Sequence, residues 1–134
     1  MKKLNILWIC TDQQRADTLG CMGNEWVCTP NLDRLAAEGV VFENAYSQSP
    51  VCAPSRGSFL TGRYPRTCGP RQNGQDIDAG ERLFPKMLAD RGYYCGLAGK
   101  LHLSACHPDT GRLEEPRIDD GYHVFRWSHH PQPH

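Results

Sequence analysis

This chain of 134 residues lacks an excess of charge of either sign. Its 15 basic and 15 acidic residues cancel, and the sequence pI is about 7.0. A protein that holds nucleic acid or an anionic membrane by charge needs a broad basic surface, which a balanced composition does not supply. We therefore expect neither nucleic acid nor a membrane among its partners, and any anion must be bound locally.

Long hydrophobic runs are also missing. No apolar stretch approaches the roughly 20 residues that a transmembrane helix needs. The apolar run at residues 4–10 contains Asn5 and leads directly into a polar segment, without the small-residue cleavage site of a signal peptide. These features predict a strand rather than a leader, and a cytoplasmic location.

Cysteine is present seven times, but never with Cys-x-x-Cys spacing. The odd number and the spacing indicate neither a zinc knuckle nor a full disulfide framework. A reduced cysteine behaves as a small hydrophobic residue in a protein core. We expect this packing role for every cysteine except Cys52, whose neighbours set it apart.

The order of the predicted elements indicates the fold class. Strand patterns lie at residues 4–10, 40–46 and 93–98, although the second also fits an extended segment. Helical patterns lie between Thr29 and Gly39 and between Pro85 and Gly92. Alternating strands and helices predict an α/β fold, with a mostly parallel sheet sandwiched by helices and a first strand buried at its centre.

Polar residues follow two of these strands. Asp12 and Gln13 come after the first, and Lys100 and His102 come after the last. Because ligands of such folds bind outside the carboxyl ends of the strands, we expect these four side chains to lie near one another.

A short helix is predicted at residues 54–61, immediately after Cys52. Proline is favoured at the first helical position and glycine just past the last turn, so Pro54 and Gly62 bracket about two turns. Cys52 would then face the positive end of the helix, where N–H groups and the dipole stabilise negative charge. Arg56 would add a fixed cation beside it.

The residues around this helix resemble a family signature. Cys-x-Pro-x-Arg at residues 52–56, followed by Leu-Thr-Gly-Arg at residues 60–63, resembles the motif of type I sulfatases. In that family the cysteine is oxidised to formylglycine, and the resemblance implies the same fate for Cys52. It also implies an alkaline-phosphatase-like fold, a formylglycine-generating or anaerobic maturation enzyme as partner, and a bracing role for Arg63.

Two further segments extend the resemblance. The family carries acidic or amide ligands for a divalent cation, usually calcium or magnesium, where this chain has Asp12 and Gln13, although many members have Asp in place of Gln13. By itself the segment fits a solvated loop better than a metal site. Carboxylate and amide oxygens suit such a hard cation, and so does the oxygen of a modified Cys52.

The second segment is Gly-Lys-x-His at residues 99–102, where the family's Lys and His contact the sulfate and the leaving group. In an extended chain Lys100 and His102 share one face, with Leu101 and Leu103 packed beneath, but an edge strand facing water would show the same pattern. Asn73 resembles a substrate-binding asparagine of some bacterial sulfatases and phosphonate monoester hydrolases. Asn-Gly is also a strong turn signal, and we favour the turn.

The resemblance implies hydrolysis of a sulfate ester, from a small molecule or a sulfated sugar. A hydroxyl of hydrated formylglycine at position 52 attacks sulfur, the alcohol leaves, and the second hydroxyl ejects sulfate to restore the aldehyde. The cation, Arg56 and Lys100 would offset negative charge, and His102 would protonate the leaving alcohol.

Sulfatases are longer than this chain, and their remaining metal ligands lie in a later segment without a counterpart here. We expect residues 1–128 to form the amino-terminal part of a sulfatase catalytic domain and residues 129–134 to form an unstructured tail. Two alternatives stay open. One is a phosphonate or phosphodiester hydrolase of the same superfamily, and the other is a catalytically silent fragment that self-associates through an incomplete sheet.

Overall fold

The structure is a computed structural model that describes residues 3–104 and 118–127. The chain divides into two compact units, Met1–Tyr46 and Ser47–His134. The predicted tail at residues 129–134 lies outside the described residues. In the part of the chain that is described, no helix is long and apolar enough to cross a membrane.

The first unit contains one regular helix. Two 3₁₀ turns, Ala16–Thr18 and Gly20–Met22, precede α1, which spans Pro30–Glu38 and ends before Gly39 as predicted. The Asp33 carboxylate accepts hydrogen bonds from the Thr29 hydroxyl at 2.9 Å and from the Cys21 N–H at 2.8 Å. These bonds hold the second 3₁₀ turn against the first turn of the helix.

The prediction of a central buried strand at residues 4–10 is wrong for this structure. The segment forms no strand, and Leu4, Leu7 and Ile9 are exposed by 77–84%. Residues 40–46 likewise form no regular strand. A strand needs a neighbour to accept and donate its backbone hydrogen bonds, and the two strands in the described ranges both belong to the second unit. An apolar run indicates that a segment favours burial, but it does not show that a neighbouring strand is present to pair with it.

The second unit holds the remaining helices of the described residues. These are α2 at Cys52–Thr61, α3 at Pro65–Cys68 and α4 at Phe84–Ala89. The 63–80 loop, which is rich in proline, glycine and polar residues, therefore contains a helical turn and contributes buried Cys68 and Ile77 to the interior. The many polar and turn-forming residues of this segment indicate exposure, so the burial of these two side chains could not be predicted from the sequence.

Within the described ranges, the second unit has a sheet of two parallel strands. β1 spans Gly96–Gly99, β2 spans Val124–Trp127, and Gly96 pairs with Val124. The strand predicted at residues 93–98 therefore begins at Gly96, further along the sequence than expected. It is not buried, because its residues alternate between exposed and half-buried. Successive side chains of a strand point to opposite faces, and here only one face meets the core.

One apolar core joins α2 to the sheet. Its buried members are Leu60, Ile77, Leu83, Leu101 and Leu103. Leu97 from β1 and Phe125 from β2 pack against them. The core therefore fixes the position of α2 relative to the chain that leaves β1.

We expect Gly121→Ala to destabilise the second unit more than Gly62→Ala does. Both glycines have positive φ, 83° and 70°, so each alanine costs about 1–2 kcal/mol in backbone strain. A Cβ at Gly121 would also clash with the Lys86 Cα, which adds about 1–3 kcal/mol, whereas a Cβ at Gly62 would meet nothing within 4 Å. Urea unfolding followed by circular dichroism measures the difference, and equal costs would contradict the close contact.

Candidate functional site

Cys52 is the first residue of α2. The helix begins two residues earlier than predicted, so Cys52 lies inside the first turn rather than ahead of it, and Pro54 is third. Proline is tolerated there because an N–H in the first turn has no intrahelical partner. The predicted end is confirmed, since Gly62 adopts the left-handed conformation and its N–H donates to the Ser58 carbonyl at 2.8 Å.

One backbone donor of this first turn has a partner from another part of the chain. The Ala53 N–H donates to Oδ1 of Asn73 at 3.0 Å, and the Ser55 N–H donates to the Val51 carbonyl at 3.0 Å. Pro54 has no N–H. The Ala53 N–H is therefore engaged by the protein itself, whereas stabilisation of negative charge near Cys52 by the dipole of α2 stays a prediction.

Arg56 connects α2 to the segment after β1. The residue is only 8% exposed, and its Nη1 donates to the backbone carbonyl of Lys100 at 2.5 Å. A guanidinium has five N–H donors in a fixed plane, so one contact to a carbonyl also orients the group. The bond brings two of the predicted site residues together across 44 positions of sequence.

The segment carrying Lys100 and His102 is not extended as predicted. His102 has a φ of 57°, and it is buried together with Leu101 and Leu103, while Lys100 is half-buried. The alternation of exposed polar and buried apolar residues therefore fails at His102. The Ile77 N–H donates to the Leu103 carbonyl at 2.7 Å, which fixes the chain just after this residue.

Positive φ outside glycine occurs at two positions in the described ranges, Gln13 and His102. This conformation costs a non-glycine residue about 1–3 kcal/mol and persists where the surroundings impose it, often at functional sites. Both positions were selected from sequence as site residues on other grounds. The backbone thus adds an independent reason to consider them.

Asp12 and Gln13 lie in the first unit, and both are exposed. Their carboxylate and amide oxygens are of the kind that a hard cation prefers. Across residues 3–104 and 118–127, however, no three His, Cys, Asp or Glu side chains cluster in a metal-binding arrangement. Asp12 and Gln13 therefore have the right ligand chemistry for calcium or magnesium, but two residues are too few ligands to hold the ion. Their proximity to Lys100 and His102 stays a prediction.

Asn73 lies in a turn, as its sequence indicates. Gly74 has a φ of 82°, and Oε1 of Gln75 accepts from the Arg71 N–H at 2.7 Å across the same turn. The turn presents Asn73 to the Ala53 N–H, a contact between residues 20 positions apart. Sequence reasoning found the residue and the turn but not this partner.

Glu81 is a residue that the sequence analysis missed. Its side chain is 6% exposed, and Oε1 accepts from Nη1 of Arg63 at 2.7 Å. The pair fastens Arg63, just past the Gly62 cap of α2, to the residue after the 63–80 loop, which gives Arg63 the bracing position that the resemblance implies. No local pattern marks Glu81, because its partner is 18 positions away.

Comparison with known proteins identifies the family. The sulfatase family model matches residues 4–129. The chain belongs to the sulfatase family. It is 31% identical over 128 residues to N-acetylglucosamine-6-O-sulfatase of Bacteroides thetaiotaomicron, covering 96% of this chain. It is 35% identical over 133 residues to human steryl-sulfatase, covering 90% of this chain.

Solved sulfatase structures also share the fold. The solved structure of BT4656 in complex with its substrate, D-glucosamine-2-N,6-O-disulfate, covers 81% of this chain with a TM-score of 0.67 and 31% sequence identity. The predicted α/β fold of alkaline-phosphatase type, in incomplete form, is thereby confirmed. The chain spans only 21% and 23% of the length of the two relatives named above and 20% of this structure.

We expect iodoacetamide to alkylate Cys52 before Cys68 in the folded protein. Cys52 is half-buried, whereas Cys68 is fully buried, and burial raises the pKa of the Cys68 thiol above its ordinary value of 9.0. The thiolate is the reactive form, so a raised pKa leaves less of it at any given pH and moves Cys68 labelling to higher pH. Peptide mass spectrometry after labelling at several pH values measures the order.

In urea the two thiols should label at similar rates, because unfolding removes the difference in burial. Faster native labelling of Cys68 than of Cys52 would contradict the placement of the two side chains.

Proposed function

We propose that this chain forms the nucleophile-bearing part of a sulfuric ester hydrolase. The observation that carries the proposal is Cys52 at the start of α2, with Arg56 one turn later and bonded to the main chain of Lys100. Family membership supports the same reaction class. Cys52 would act after oxidation to formylglycine by a formylglycine-generating or anaerobic maturation enzyme.

The roles of the chain's own residues follow from their charge and position. Arg56 and Lys100 would offset charge on the nucleophile and on the sulfuryl oxygens, in a site where little solvent screens them. His102 would donate a proton to the leaving alcohol, because imidazole changes protonation state near neutral pH. Its imposed backbone conformation would hold the ring in place without reorganisation during the reaction.

Asp12 and Gln13 would contribute oxygen ligands to a divalent cation, with calcium preferred and magnesium the second choice. Sulfatases in general depend on formylglycine and a divalent cation. The bound cation would supply Lewis-acid stabilisation of negative oxygen. Further ligands must come from outside the pair, because calcium takes about six to eight oxygens.

A sulfated sugar is the proposed substrate. Support comes from relatives, since one is an N-acetylglucosamine-6-O-sulfatase and one solved structure contains a glucosamine disulfate. A small-molecule sulfate ester is the second choice, and the human relative is a steryl-sulfatase. The cytoplasmic location stays a prediction.

Cys52→Ala should abolish turnover of an aryl sulfate, because alanine cannot be converted to the aldehyde nucleophile. The unchanged chain, co-expressed with a maturation enzyme, should yield a Cys52 peptide about 18 Da lighter than its thiol form. Turnover assays and peptide mass spectrometry provide the two measurements. Cys28→Ala, which removes an exposed cysteine from the first unit, is the matched control and should keep full activity.

Two results would change the proposal. Faster hydrolysis of a phosphodiester or phosphonate ester than of the aryl sulfate, dependent on Cys52, would assign the chain to the alternative reaction. Retained sulfatase turnover in Cys52→Ala would remove Cys52 from the mechanism.

We also propose that the isolated chain self-associates through the apolar side chains of residues 4–10. Leu7 is 84% exposed within this segment, and exposed apolar runs of this kind drive association. Leu7→Lys should shift the sedimentation profile towards monomer, whereas Gln14→Lys, which adds the same charge at another exposed position, should leave it unchanged. A monomeric parent chain would contradict the proposal.

A further inference from the structure

We infer that Asn73 is a positioning residue that holds the start of α2, and with it Cys52, through the backbone N–H of Ala53. The inference rests on the proposed function, because positioning matters only if Cys52 carries the nucleophile. It differs from the substrate-binding role that the resemblance implies, since the atom in contact with Asn73 belongs to the protein.

The start of α2 needs a partner from elsewhere in the chain. Most helices begin after Ser, Thr, Asp or Asn, whose side chain accepts from an N–H of the first turn. The residue before α2 is Val51, whose side chain has no such oxygen and makes no capping hydrogen bond. Oδ1 of Asn73 meets this need at 3.0 Å from the Ala53 N–H.

Burial makes the contact important. Ala53 is 1% exposed, so water cannot readily replace Asn73 as the acceptor. An unsatisfied buried N–H is costly, and the chain responds by moving until it finds a partner. Ala53 directly follows Cys52, so such a movement would displace the residue that carries the nucleophile.

The hydrogen bond also settles the orientation of the Asn73 amide. A backbone N–H can only donate, so the carbonyl oxygen of the side chain must face Ala53. That oxygen is therefore engaged with the helix. The turn at Gly74, closed by the bond between Gln75 and Arg71, aims the side chain at this position.

Substitution by aspartate separates the two roles. The carboxylate that Asn73→Asp introduces would accept from the Ala53 N–H and would be favoured by the positive helix end. If Asn73 instead contacted a sulfate ester, the same carboxylate would repel the anion and Asn73→Asp would be the more damaging change. The order of Asn73→Asp and Asn73→Ala thus distinguishes positioning from substrate binding.

The first experiment measures hydrogen exchange of the Ala53 amide by NMR in the folded chain. Asn73→Ala should speed this exchange about fivefold or more, the factor expected for a lost helix cap, whereas Asn73→Asp should retain most of the protection. Asp78→Ala is the control, because it removes a similar hydrogen bond that the Gly80 N–H donates to the Asp78 carboxylate in the same loop. Unchanged Ala53 exchange in Asn73→Ala would overturn the inference.

The second experiment compares kcat and KM for an aryl sulfate in the matured protein. Asn73→Ala should lower kcat about tenfold to a hundredfold with a smaller change in KM, and Asn73→Asp should restore much of the loss. A raised KM with Asn73→Asp worse than Asn73→Ala would overturn the inference and assign Asn73 to substrate binding. Absent turnover in the matured parent chain would count against the proposed function and not against this inference, because amide exchange still decides the position of Asn73.

Discussion

The hydrogen bond from Arg56 to the Lys100 carbonyl is the contact on which the arrangement of the second unit's site depends. It joins α2, one turn after Cys52, to the chain that leaves β1, and the core that includes Leu60 and Leu101 holds both segments in place. A buried guanidinium is stable only when its donors are satisfied, so the bond both meets that need and fixes the geometry. Arg56 is therefore structural as well as a source of charge.

The site is built with little freedom at its centre. Backbone donors at the start of α2 are taken by Asn73 and Val51, and His102 is kept in a conformation that non-glycine residues seldom adopt. A site of this kind needs no large reorganisation when charge develops, which is the condition under which fixed dipoles and cations act most strongly. The apolar segment at residues 4–10 contrasts with it, because nothing in the described ranges of the first unit buries that segment.

Several helix bounds and the family could be predicted from short stretches of sequence. Pro30 and Gly39 mark the bounds of α1, and Gly62 marks the end of α2, because proline and glycine have local conformational limits that hold in any context. The motif around Cys52 identified the family. The same reasoning failed for residues 4–10, since strand formation depends on a neighbour that an apolar pattern cannot reveal, and it failed at His102, since alternation assumes an extended chain.

The sequence by itself determined the family, the residue types of the site and the local starts and stops of its helices, because each depends on residues adjacent in the chain. Only the tertiary structure decided which partners those residues have. Ala53 with Asn73, Arg56 with Lys100, and Arg63 with Glu81 are pairs separated by 18 to 44 positions. Such contacts depend on how the core brings distant segments together, and no local pattern carries that information.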